Sequence, residues 1–100
     1  MADFNDLASL THEDFSPLLG QRFGLVLADG AVPLHLVEVK PLHRMPGGRD
    51  QFSLIFKSPG QRVLPQGIYA LEHASARGLA LFLVPVGRDA EGVSYQAVFA

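Results

Sequence analysis

Four histidines, His12, His35, His43 and His73, are the residues best suited to hold a metal here, and Glu38 and Glu72 lie close to two of them along the chain. Imidazole and carboxylate together suit several divalent metals, so their placement is the first thing to weigh. His35 and Glu38 are three apart, and on one strand such residues face opposite sides. The set that would have to meet around a pocket is His35, His43, His73 and Glu72. Chemistry based on sulfur is excluded, because the chain has no cysteine. That removes a thiolate nucleophile, a thiolate metal site and a disulfide framework together.

A His and Glu cup inside a small β-barrel is how cupin-type proteins hold a metal, and the turn Pro65-Gln66-Gly67 is similar to the Pro-x-Gly turn of the second cupin motif. The likeness stops there. Where that motif carries a His three residues after its glycine, this chain has Ala70, and His35 is followed by Leu36 and Val37 rather than completing a His-x-His pair. A cupin-like small-ligand or metal-binding enzyme is thus the alternative reading, and surface or hydrogen-bonded histidines are the plainer one.

Other chemistries leave weaker traces. No Gly-x-Ser-x-Gly elbow is present, and His12-Glu13 has no second His at helical spacing, so neither a hydrolase nucleophile nor a zincin site is written in the chain. Thr11-His12-Glu13-Asp14 reads instead as a helix start whose acids favour the positive end of the dipole. Gly47-Gly48-Arg49, with Arg44 beside it, forms a candidate anion or carbohydrate loop, but no phosphate-binding lysine follows. Phe52, Leu54 and Phe56 read as core rather than as a stacking platform for bases, since only Lys57 lies near them. No nucleic-acid partner and no cofactor are expected.

Composition narrows the setting. Hydrophobic residues make up 48% of the 100-residue chain and charged residues 18%, below the usual charged share of about 25%. So much apolar surface implies either a complete core or a face covered by a partner, and a self-associating protein is expected. Net charge is −2, which supplies no basic field for nucleic acid or an anionic membrane. The first fourteen residues hold Asp3, Asp6, Glu13 and Asp14 without Lys or Arg, unlike a secretory or transit leader. The apolar run from Leu79 to Val86 is too short to span a bilayer. A cytoplasmic location fits these features.

The elements that must position any site are mostly strands. Residues 1–9 are expected to be frayed or weakly helical and 10–20 to form a short helical lead-in. Thr11 and Asp14 imitate a capping box, Ser16-Pro17 offers a second start, and Gly20 a stop. Phe15, Leu18 and Leu19 are spaced to lay this turn on a core. From Arg22 the period changes to two. Expected strands contain Phe23, Leu25 and Leu27, then Leu34 to Lys40, Phe52 to Lys57, Ile68 to His73, Leu79 to Val84 and Val93 to Phe99. A turn spans Ala28 to Ala31, and a turn-rich stretch runs from Gly87 to Gly92. Six short strands without a long crossover helix predict one all-β domain, an antiparallel barrel or sandwich over 22–99. The fifth strand is apolar on both faces, which places it mid-body or at a subunit contact. Pro85 should weaken pairing at its end.

Several runs resemble a family of small uncharacterised bacterial domains of about 100 residues: Leu10 to Phe23, Phe52 to Phe56, Leu64 to His73, Leu81 to Val86 and Tyr95 to Phe99. The resemblance covers almost the whole chain from Leu10 on and brings no catalytic residues with it. Domains of this kind are associated with phage-tail-like genes, which implies an assembly or accessory role. The expectation is a non-enzymatic protein-interaction domain, a homo-oligomer or part of a larger assembly. Its contact surface is placed at Leu79, Leu81, Phe82, Leu83 and Tyr95, with His43, Arg44 and Arg49 as loop candidates.

Overall fold

The structure, a computed structural model, describes residues 3–42 and 50–99. Its short lead-in consists of a 3₁₀ turn at Leu7–Ser9, helix α1 (His12–Phe15) and a second 3₁₀ turn at Ser16–Leu18. Six strands follow: β1 (Arg22–Leu27), β2 (Gly30–Pro41), β3 (Phe52–Ser58), β4 (Gly67–Glu72), β5 (Ala80–Asp89) and β6 (Gly92–Phe99). They close into an antiparallel barrel in the order β1-β2-β3-β6-β5-β4. Of the two architectures the sequence allowed, the barrel is the one adopted. Among the described residues no helix is long and apolar enough to cross a membrane.

Alternation builds the interior. Phe23 and Leu25 on β1, Leu34 and Leu36 on β2, Phe52, Leu54 and Phe56 on β3, Leu81 and Leu83 on β5, and Val93, Tyr95 and Ala97 on β6 are all buried in one cluster. Burying such side chains contributes roughly 1.5–3 kcal/mol each for the larger aliphatic and aromatic ones. A β-bulge between Leu36 and Glu38 shifts the register of β2, so that the inward position after Leu36 falls on Val39, opposite Leu54. One extra residue explains why the apolar positions 34, 36 and 39 break strict period two.

Strand lengths depart from the sequence reading where turns prove tighter. Leu27 pairs with Gly30, so only Ala28 and Asp29 turn the first hairpin and β2 begins earlier than Leu34. Likewise Asp89 pairs with Gly92, and the turn-rich stretch from Gly87 shrinks to Ala90 and Glu91. Gly92 has φ 145°, and an added Cβ there would overlap the carbonyl oxygen of Ser58, so only glycine fits. Pro85 does not end β5 as expected. It pairs opposite Tyr95, and a bulge between Pro85 and Gly87 accommodates the missing N–H while the ladder continues to Asp89.

The lead-in caps one end of the barrel. A capping box joins Thr11 and Asp14, with the Thr11 N–H donating to the Asp14 carboxylate at 2.8 Å. Ser16 is not a second cap: its hydroxyl donates to the His12 carbonyl and closes the turn behind it. Phe15 and Leu18 are buried, but Leu19, expected to join them, is exposed. The chain tightens to 3₁₀ at Ser16 and is extended at Leu19, which swings that side chain away from the core. Residues before Leu10 are not frayed throughout. Phe4 is buried and meets Phe15 edge to face, with ring centroids 5.4 Å apart. Phe15 in turn packs on Phe52 and Phe99, which stack at 4.3 Å.

The other end is held by the segment between β3 and β4. The Leu64 N–H donates to the Tyr95 hydroxyl at 2.9 Å inside the protein, and the Gln61 amide donates to the Asp89 carbonyl at 2.9 Å. Asp89 also accepts from the N–H groups of Glu91 and Gly92 and pairs with Lys57 at 2.8 Å.

Two outcomes test this account. Tyr95→Phe leaves the Leu64 N–H buried without its acceptor and should cost about 1–3 kcal/mol in urea denaturation. An unchanged midpoint would mean that water replaces the hydroxyl. The second concerns pH. The Lys57 ammonium, followed by the Glu91 N–H, holds Asp89 below the ordinary carboxylate range, and the same hydrogen bond raises Lys57. Asp89 therefore adds stability above the usual carboxylate pKa and loses it as pH falls through its depressed value, whereas the Lys57 share is lost only in strong alkali. Asp89→Asn keeps the turn acceptor, so Tm should fall less steeply for the variant than for wild type between pH ~5 and ~2.

Candidate functional site

The feature that sets this surface apart lies on β4, β5 and β6. Ile68 on β4 is paired directly with Phe82 on β5, and both point outward, 75% and 52% exposed. Val98 on β6, 58% exposed, lies on the next strand round the barrel. Three large apolar side chains on neighbouring strands are unusual for an outward barrel face, which is ordinarily polar. Alternation places them there: Leu81 and Leu83 are committed to the core, so Phe82 between them must face out.

Next to these residues the barrel wall is incompletely zipped. β5 pairs with β4 through Ala80 to Leu83 and with β6 from Val84 to Asp89. Among the described residues the β5–β6 ladder starts at Val84 opposite Gln96, leaving Leu81 to Leu83 and Ala97 to Phe99 outside it. A cleft of about 370 Å³ occupies this seam. Its walls are Leu81 and Phe82 on one side and Ala97, Val98 and Phe99 on the other, and the lead-in lines it with Leu7, Ala8 and Leu10.

Asp50 supplies the one acidic side chain of the lining. One of its oxygens accepts from the His12 backbone N–H at 2.7 Å and meets His12 Nδ1 at 2.9 Å. The pair fastens the start of α1 to the entrance of β3, and the His12 ring lies 6.5 Å from that of Phe52. Asp50 thus shapes the cleft by positioning the lead-in.

The residues singled out by sequence are distributed differently. His35 is exposed on β2, with Arg22 and Lys57 as its cross-strand neighbours, a cationic setting that disfavours a metal. His73 uses both ring nitrogens: Nε2 meets Gln21 Oε1 at 2.7 Å, and Nδ1 accepts from the Ser75 N–H at 3.0 Å. Its ring also packs on Phe23 at 4.6 Å. Glu72 is exposed opposite Gly24. A more open depression of about 450 Å³ beside His73 and Glu72 adds Arg77, a mixed-charge lining with no converging ligand set. Among the described residues no three His, Asp or Glu side chains gather as metal ligands. His43, Arg44 and Arg49 lie outside the described residues.

The expected contact surface is also redrawn. Leu79, Leu81, Leu83 and Tyr95 are buried inside the barrel, and Phe82 is the member that reaches the surface. Ile68, Val98 and Asp50 escaped the sequence reading. Ile68 and Val98 sit at the outward phase of otherwise ordinary strands, and phase alone, once the inward set is known, would have found them.

A family model for a domain of unknown function, DUF6916, matches residues 10–99, all but the first nine residues and the last. The chain belongs to that family. No curated protein and no solved structure matches it.

Removing the Asp50 carboxylate tests how the lead-in is held. Asp50→Ala should cost roughly 1.5–3 kcal/mol, the range for hydrogen bonds to a charged group. Amide exchange in α1 should accelerate more than exchange in β3 and β6. Equal acceleration throughout would show that the pair does not hold the lead-in separately from the barrel.

Proposed function

We propose that this domain is a non-enzymatic protein-docking module, acting as a homo-oligomer or as an accessory of a larger assembly. The observation that carries the reading is the outward trio of Ile68, Phe82 and Val98 beside the seam. An apolar face of this kind loses its contact with water only when another surface covers it, at about 25 cal/mol per Å². The composition agrees, since charged residues are scarce and the core already accounts for the inward apolar set. Its setting, on the resemblance to bacterial domains associated with phage-tail-like genes, is a tail-like assembly put together in the cytoplasm.

Native mass spectrometry on gently purified protein reads subunit number and bound mass together. Wild type should appear as a defined oligomer or with a protein partner, and Ile68→Lys combined with Phe82→Glu, which places opposite charges across the pair, should release a folded monomer with a nearly unchanged Tm. A wild-type monomer that captures no protein, or one carrying a small molecule or metal, would sink the docking reading.

A further inference from the structure

We infer that the seam between β5 and β6 accepts an extended segment of another protein as an added strand, an inference that rests on the docking reading above. At the seam β5 from Leu81 to Leu83 and β6 from Ala97 to Phe99, about 10 Å of strand at ~3.3 Å per residue, share no ladder with each other. Each is paired on its other edge, with β4 and β3, so alternate residues of each stretch turn their backbone groups into the seam. A strand edge outside a ladder presents N–H and C=O groups in register, and another extended backbone satisfies them best. A helix or a flat protein surface covers apolar side chains but leaves those groups unpaired, so the occupant is a strand.

The side chains around the seam define its chemistry. Leu81, Ala97 and Phe99 provide an apolar floor, and Phe82 and Val98 flank the mouth on the outer surface. The occupant therefore carries apolar side chains at alternate positions. The lead-in that lines the seam through Leu7 and Ala8 also bears Asp3 and Asp6, and the chain has no Lys or Arg before Arg22. Lys or Arg flanking the apolar residues complements the acidic lead-in whose Leu7 and Ala8 line the seam. A second copy of this chain is a poor donor, because each of the six described strands is held in the barrel by at least one neighbour and would have to leave it to be donated.

The test uses the full chain and the heptapeptide Lys-Val-Thr-Val-Thr-Val-Lys, with a twin N-methylated at alternate residues. Amide exchange is followed by NMR as each peptide is added to millimolar concentration. In the free protein the amides on the seam edges should exchange at least tenfold faster than their ladder-paired neighbours. The unmodified peptide should slow them at least tenfold, and the methylated twin should not. Slow exchange in the free protein, no added protection, or equal protection by both peptides would each overturn strand addition. If that happens while Ile68→Lys with Phe82→Glu still releases a monomer, the outer face docks a partner through side chains alone. The docking reading then survives the failure of this one.

Discussion

A β-strand has two edges, and how β5 shares its own between two neighbours governs much of this molecule. Its first half is bound to β4 and its second half to β6, with the exchange falling at Val84, one residue before Pro85. Proline has no N–H to donate, and the adjoining bulge lets β5 bend without losing its course round the barrel. The ring is therefore closed, yet its wall is unzipped where β5 has not yet met β6. The cleft, the exposed Phe82 and the neighbouring Val98 all follow from that single handover.

The open part of the wall requires support from elsewhere, and the lead-in provides it. Phe52 and Phe99 are register partners on β3 and β6, and their stacked rings meet Phe15 from the short helix. Phe4 extends the cluster beyond the part of the chain that the family model covers. Asp50 adds a polar clamp through His12, so the end of the barrel beside the seam is held by both packing and hydrogen bonds. At the far end the Tyr95 hydroxyl and the Asp89 turn anchor the segment between β3 and β4. With both ends tied down, the apolar seam is a local property of a well-held scaffold.

Histidine chemistry fares poorly for reasons that also come from pairing. Antiparallel register sets His35 between Arg22 and Lys57, while the turn after β4 enlists both nitrogens of His73 as structural hydrogen-bond partners. Among the described residues, pairing thus gives His35 a cationic setting and His73 hydrogen-bond partners, and no three His, Asp or Glu side chains gather. Charge and hydrogen bonding around each ring, rather than the count of rings, decide what a histidine can do.

The sequence by itself determined the all-β class, the number of strands, the capping box at Thr11 and the inward-facing residues of β1 to β3, because period-two alternation and turn chemistry are local properties that survive without knowledge of partners. It also marked β5 as apolar on both faces. What that second face does could not be read there. Whether Phe82 is core or surface depends on which strands flank β5 and for how long, and strand order is a matter of contacts between residues far apart in the chain. The bulges after Leu36 and Pro85, the burial of Phe4, the exposure of Leu19 and the union of Asp50 with His12 are of the same kind. Each is settled by closure of the barrel, which decides long-range neighbours that no local pattern encodes.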